Sequence, residues 1–208
     1  MNPNVLWQIP LPSSSRVVAL TIDDAPSDQT AKILDLLKVY GAKATFFVIG
    51  SQIAAHPDLL QRMHEEGHEI GNHAWKDEPS ISLPLSELER QILEVESLLP
   101  PNSGSAKYFR PGSGFFNKKM VDRVMSLGYR VVLGSIYPHD PQIHSPKTNA
   151  KHVLSMLRPG GIIIMHDRRN YSAEQLELIL RGMAAKEWKA ENLGGVLKIA
   201  EAKGKNGE

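Results

Sequence analysis

The sequence predicts an α/β domain built on a parallel sheet, and three observations carry that prediction. Apolar runs with the length and β-branched content of fully buried strands recur along the chain. Segments with apolar residues at helical spacing alternate with them, as in repeated βα units. Gly41, Gly67 and Gly128 stand where helices stop and strands begin. About seven strands leave two architectures open, a barrel and a doubly wound sheet. In both, chemistry gathers at the carboxyl ends of the strands.

The elements follow in order. Arg16–Ile22 is a buried strand that empties into Asp23 and Asp24. Thr30–Tyr40 carries Ile33, Leu34, Leu36 and Leu37 on one helical face and is stopped by Gly41. Ala44–Ile49 is a second strand, Asp58–Glu66 a helix and Glu69–His73 a short strand. Ser86 with Glu89 has the pattern of a capping box for a helix reaching about Leu99. Pro100–Gly104 is a loop and Lys107–Arg110 a brief strand. Asn117–Leu127 is a helix leading into the strand Tyr129–Leu133. Pro141–Pro146 is loop, Ala150–Leu157 helix, Gly161–His166 strand and Ala173–Ala185 helix. A weak strand–helix pair over Lys189–Ala202 closes the fold, and the tail Lys203–Glu208 is expected to fray.

Composition narrows the functions available. The chain has 208 residues, of which 41% are hydrophobic and 23% charged, matching one ordinary globular domain with a full core. That domain is expected over residues 1–208, its core at about 16–202. A net charge of +1 gives no electrostatic footprint for nucleic acid or an anionic membrane. With no cysteine, any metal must be held by His, Asp or Glu. No apolar run reaches a membrane span. The amino-terminal segment lacks the basic and apolar regions of a signal peptide, so the expected location is cytoplasmic, or extracellular if a leader was cleaved. Nothing in the sequence specifies an oligomeric state.

Polar residues terminate successive strands: Asp23 and Asp24, His73, Arg110, the Tyr137–Asp140 loop, and His166 with Asp167. Read as chemistry, they form a hydrolytic site for an amide or ester. Asp24, His73 and a carboxylate from Asp77 or Glu78 give an oxygen–nitrogen set for a divalent ion with an open position for water. Asp23 can accept that water's proton, with Arg110 holding it charged and aimed. His166, arriving from the opposite rim, can protonate the leaving group. Asp167 is placed to orient His166 through its other ring nitrogen, and Arg168 and Arg169 follow on the same rim, where they can meet an anionic substrate. His56, His64 and His68 lie on or beside a polar helix and are expected to be solvated.

Over roughly residues 16–202 the chain resembles the NodB-homology polysaccharide deacetylases, the fourth carbohydrate esterase family. Thr21-Ile22-Asp23-Asp24-Ala25-Pro26 is similar to the first family motif, Thr-Phe-Asp-Asp-Gly-Pro. Lys43–Gly50 and Gly67–His73 match the second strand and the approach to the second motif. Phe109-Arg110-Pro111 opens the third motif, and Gly160–Asp167 carries the last. The resemblance implies a distorted (β/α) barrel of about seven parallel strands that binds a divalent metal, Zn²⁺ first, with Co²⁺, Ni²⁺ or Mn²⁺ as alternatives. It implies Asp23 as general base, Asp24 and His73 as ligands, Arg110 as the residue orienting the base, His166 as general acid and Ile164 as a wall of the acetyl pocket.

This chain departs from the family pattern at four places. Asp77 stands where a second ligand histidine is usual, with Glu78 as the alternative. Ala25 replaces a glycine, so its turn must avoid positive φ. Gly112-Ser113-Gly114 replaces Pro-Tyr-Gly, leaving the Ser113 N–H as oxyanion donor but removing an aromatic wall. Gly134–Asp140 keeps one acid of the fourth motif, Asp140, assigned here to tether Arg110, and no tryptophan. Tyr137 or Trp75 can supply the missing wall. The expected activity is removal of N-acetyl groups from an N-acetylglucosamine-containing oligo- or polysaccharide, of chitin-oligosaccharide or peptidoglycan type. The alternatives are an O-acetyl esterase acting on xylan, a cyclic-amide hydrolase, and a degenerate carbohydrate-binding module.

Overall fold

The computed structural model describes residues 3–101 and 106–205. Among the described residues there are eight strands: β1 (Val5–Leu6), β2 (Val17–Ala25), β3 (Thr45–Val48), β4 (Glu69–Asn72), β5 (Lys107–Phe109), β6 (Tyr129–Val132), β7 (Ile162–His166) and β8 (Lys189–Glu191). All their pairings are parallel, in the order β1-β6-β5-β4-β3-β2-β7, with β8 added to the start of β2. A bridge between Ile136 and Ile163 ties the segment after β6 to β7, so the sheet curls into a distorted barrel. The helices are α1 (Thr30–Val39), α2 (Gly50–Ile53), α3 (Pro57–Glu65), α4 (Leu85–Leu98), α5 (Lys118–Ser126), α6 (Pro146–Ser155), α7 (Ser172–Ala184) and α8 (Leu193–Lys205). Among the described residues no helix is long and apolar enough to cross a membrane.

Strand periodicity decides what faces where. In β2, Val18, Leu20 and Ile22 pack with Ile33, Leu34 and Leu37 of α1 and with Leu176, Ile179 and Leu180 of α7. The alternate residues Ala19, Thr21 and Asp23 face the other way. Ala19 joins Phe47, Tyr108, Val132 and Ile162 in the barrel interior, where Leu193 and Val196 of α8 complete the cluster. The start of α8 is held at the amino ends of the strands: Leu193 N–H donates to Thr45 Oγ1 (2.9 Å) and Gly194 N–H to the Glu69 carboxylate (3.0 Å). That end is plugged and the carboxyl end is left open.

Several local expectations are corrected. The eighth strand, β1, is too short to show a period, and α2 is a single turn; neither was expected. α4 begins after Pro84, whose carbonyl accepts from Glu87 and Leu88 N–H, so Ser86 lies inside the helix and makes no capping box. α6 starts four residues early, because Ser145 Oγ caps it and Pro146 fits its first turn. α8 continues through Lys203–Lys205, where fraying was expected. The expected loop residues Asn102–Gly104 and the tail Asn206–Glu208 lie outside the described residues. His68 is buried rather than solvated: its Nδ1 accepts from Ala44 N–H (3.2 Å), and burial pushes its pKa down to about 4.

The amino-terminal segment is strapped across the barrel. β1 pairs with β6, Gln8 bridges Gly161, and Ile9 N–H donates to Gly160 O (2.9 Å). Gly160 has φ +67°, and a β-carbon there would collide with the Ile9 carbonyl. Gly160→Ala is expected to lower the unfolding free energy by about 1–3 kcal/mol, read as a lower urea midpoint. Gly128→Ala, at φ +82° with nothing within 4 Å, is the control for backbone strain alone. A loss at Gly160 no larger than at Gly128 would show that the strap is not held by this contact.

Candidate active site

A cavity of about 590 Å³ opens at the carboxyl end of the barrel, lined by Asp23, Asp24, His73, Asp77, Arg110, Ser113, Tyr137, Ile164 and His166 among others. Asp23 and Asp24 adjoin in sequence and on a regular strand would point to opposite faces. The register of β2 on β3 slips here, Asp23 pairing with Phe47 and Ala25 with Val48. Asp24 is the inserted residue, at φ 66°, a conformation that aspartate tolerates better than most side chains. The bulge turns both carboxylates into the cavity, and Ala25 escapes positive φ because Asp24 takes it.

Arg110, one residue past β5, crosses the barrel interior and is fully buried. Nη1 donates to Asp23 Oδ1 (2.6 Å) and Thr21 Oγ1 (2.7 Å), Nε to Val132 O (3.2 Å) and Nη2 to Leu133 O (3.3 Å). Its guanidinium lies 4.1 Å over the Phe47 ring. Burial presses its pKa down, and the charge and hydrogen bond of Asp23 oppose that shift. Asp23 is thereby fixed in one orientation.

His166 is the register partner of Asp23 on the adjacent strand β7. The expectation that it arrives from the opposite rim is corrected, because β2 and β7 are neighbours in the sheet. Asp140, expected to tether Arg110, holds His166 instead. His166 Nδ1 lies 2.8 Å from Asp140 Oδ1, and His166 N–H donates to Asp140 Oδ2 (2.9 Å). Gln175 Nε2 (3.3 Å) and the Tyr171 hydroxyl donate to Asp140 as well. Burial acts to lower the His166 pKa; the hydrogen bond and charge of Asp140, with the charges of Asp23 and Asp24, outweigh it and leave a net rise. Asp167 does not orient His166. It accepts from Ser27 Oγ (2.9 Å) and Thr30 Oγ1, tying the end of β7 to α1, and burial pushes it up to about 6 against those hydroxyls.

His73 Nδ1 lies 2.7 Å from Arg110 O. Facing a carbonyl, that nitrogen carries the proton of the neutral ring, so Nε2 presents a lone pair, 3.7 Å from Asp24 Oδ1. Burial, the largest influence on it, raises the Asp24 pKa. A buried carboxylate beside an imidazole lone pair fits a divalent cation. Asp77 lines the same cavity, while its carboxylate pairs with Arg168 Nη2 (2.8 Å). Glu78 faces away and accepts from Gln91 Nε2 (3.0 Å). Among the described residues no three acidic or histidine side chains are gathered round one point.

The remaining walls differ in part from expectation. Ser113 lines the cavity at φ 62°, and Ile164 and Tyr137 line it too, the Tyr137 ring 6.1 Å from His166. Trp75 does not: it packs with the core cluster over Gly50. Trp7, carried in by the strap, supplies the aromatic wall instead, with Phe115 exposed at the rim. Among the described residues the buried Trp7 Nε1–H has no hydrogen-bond partner. Sequence reasoning missed both: Trp7 follows a strand too short to show a period, and Phe115 lies in a loop, although an isolated tryptophan outside any helical or strand period was a visible signal.

The polysaccharide deacetylase family model matches residues 11–132. A peptidoglycan-N-acetylglucosamine deacetylase of Bacillus cereus is 32% identical over 169 residues, covering 80% of this chain and 78% of that protein. A chitooligosaccharide deacetylase of Rhizobium leguminosarum is 34% identical over 157 residues, covering 74% of this chain and 73% of that one. Other relatives are longer: the chain spans 37% of the Listeria monocytogenes deacetylase PgdA. The structure of peptidoglycan deacetylase PdaC from Bacillus subtilis superposes with a TM-score of 0.83 at 28% identity, covering 93% of this chain and 95% of that one. The chain belongs to the polysaccharide deacetylase family, whose members are in general metal-dependent hydrolases.

The contact between Asp140 and His166 generates a prediction independent of turnover. A raised histidine pKa means that the charged ring persists above the ordinary value of about 6.5 and is lost as pH rises through the folded value. Asp140→Asn removes the compensating charge, so the His166 titration seen by NMR is expected to move down. An unchanged midpoint would show that Asp140 does not set it.

Proposed function

We propose that this family member removes N-acetyl groups from N-acetylglucosamine residues of an oligo- or polysaccharide of chitin-oligosaccharide or peptidoglycan type. The observation that carries the reading is the in-register placement of Asp23 and His166 on adjacent strands, each gripped by a buried partner of opposite charge. A pure carbohydrate binder has no use for a paired base and acid. Asp24 and His73 would hold a divalent ion, with Asp77 as third donor on leaving Arg168. A mixed nitrogen–oxygen set suits zinc and admits Co²⁺, Ni²⁺ or Mn²⁺. When bound, such an ion supplies Lewis acidity toward the acetyl carbonyl and makes water more acidic.

The chain's own residues divide the remaining work. Asp23, aimed by Arg110, takes a proton from the attacking water as its oxygen bonds to the acetyl carbon. The Ser113 N–H donates to the oxygen that becomes negative. His166 gives its proton to the amide nitrogen as the carbon–nitrogen bond breaks, releasing acetate and the free amine, and Asp140 holds the ring while its charge changes. Ile164 offers an apolar wall to the acetyl methyl. Trp7, Tyr137 and Phe115 offer ring faces and edges to the sugars.

Asp23→Asn is expected to cut acetate release by about 10²–10⁴-fold while metal uptake stays stoichiometric. His73→Ala is expected to lose the metal. Loss of metal from Asp23→Asn would move that residue into the ligand set, and acetate release unchanged in Asp23→Asn would overturn its role as base. Release of acetate from acetyl-xylan but not from N-acetylglucosamine oligomers would replace the amide by an ester as the natural bond.

A further inference from the structure

We infer that Arg168 is a positioning residue that competes with the divalent ion for Asp77 and thereby sets the metal affinity of this chain. The inference rests on the deacetylase reading and concerns how its ion is admitted. Asp77 lies in the loop after β4 and lines the cavity of Asp24 and His73. Arg168 lies two residues past β7 and lines a second cavity, of about 500 Å³, with Ser27, Asp28, Gln52 and His56. The ion pair between Arg168 Nη2 and Asp77 Oδ2 (2.8 Å) therefore joins the walls of the two cavities.

A neutral imidazole at position 77 would ligate a metal without needing a counter-charge. A carboxylate there attracts a cation, and the one it meets in this structure is a guanidinium. The other carboxylates of the cavity leave Arg168 no rival partner, since Asp23 is held by Arg110 and Asp24 faces His73. Gln52 couples the pair to the other side of the site. With its amide nitrogen donating to Asp24 O (3.2 Å) and Pro26 O (2.7 Å), its amide oxygen accepts from Arg168 Nη1 (3.2 Å). One nitrogen of the guanidinium is thus tied, through Gln52, to the backbone of a candidate ligand, and another holds the carboxylate of a second. The Arg168 and Asp77 side chains are 35% and 45% exposed, so their pair is weak and opens readily. A divalent ion carries twice the charge and draws the carboxylate more strongly. Asp28, in the same cavity as Arg168, has an exposed carboxylate that can take up the released guanidinium.

The test titrates Zn²⁺ alone into chelator-treated protein by calorimetry, with positions 77 and 168 altered singly and together. Arg168→Gln is expected to tighten Zn²⁺ binding by about three- to tenfold, by removing both a competitor and a repelling charge. Arg168→Lys, which still pairs with the carboxylate, is expected to stay near the unaltered affinity. Asp77→Asn is expected to weaken binding, and adding Arg168→Gln to it to recover little. Equal tightening by Arg168→Gln whether residue 77 is Asp or Asn would mean a charge acting at a distance, and would overturn competition for Asp77. Unchanged or weaker binding in Arg168→Gln would overturn it too, as would a lack of Zn²⁺ uptake by every variant. Acetate release by the Zn²⁺-loaded protein judges the deacetylase reading separately. The expected zinc series with no acetate supports the competition and overturns that reading, whereas acetate release with a flat series does the reverse.

Discussion

The open end of the barrel is organised by the guanidinium of Arg110. From the end of β5 it reaches a carboxylate and a hydroxyl on β2 and two carbonyls at the end of β5's neighbour β6, so one side chain fixes three strand ends relative to one another. It does so buried from solvent, against the face of Phe47. A buried ion pair adds little net stability when it forms, yet removing one partner strands the other at about 3–5 kcal/mol. The pair therefore acts less as glue than as a locator. The Arg110 carbonyl accepts from His73 Nδ1, so the same residue also sets the ring that faces Asp24.

Given that locator, the chemistry follows from sheet geometry. β2 sits between β3 and β7, and its last residues inherit both registers. Pairing with β7 puts Asp23 beside His166, and the slip against β3 turns Asp24 inward. One strand end thus contributes the base and a ligand, while its neighbour contributes the acid. Two carboxylates side by side need positive charge near them. Arg110 serves Asp23, and the His73 side of the cavity serves Asp24.

Much of this was legible in the sequence because strand-end residues announce themselves. Asp23, Asp24, His73, Arg110 and His166 each stand at or one residue past a strand end, and all five line one cavity. What escaped depends on side chains reaching across space. Asp140 was assigned to Arg110, yet the loop after β6 lies against β7, where the Ile136–Ile163 bridge holds it, so its carboxylate meets His166. Trp75 was a candidate for the missing aromatic wall, but Gly50 leaves a hollow that the ring fills from behind. Trp7 was passed over because a two-residue strand has no readable period; only the pairing of β1 with β6 brings it to the cavity. Asp77 was read as a free ligand, and its pairing with Arg168 is a contact over 91 residues that no local pattern encodes.

The central claim is that the Asp23 and His166 pairs, with a cation at Asp24 and His73, hydrolyse an acetamide. The most direct measurement is acetate release from N-acetylglucosamine oligomers by chelator-treated protein, before and after Zn²⁺, Co²⁺, Ni²⁺ or Mn²⁺ is restored. The account predicts release that is lost with the chelator and recovered with at least one of these ions at one equivalent per chain. Stoichiometric metal uptake with no acetate from any of these oligomers would contradict it.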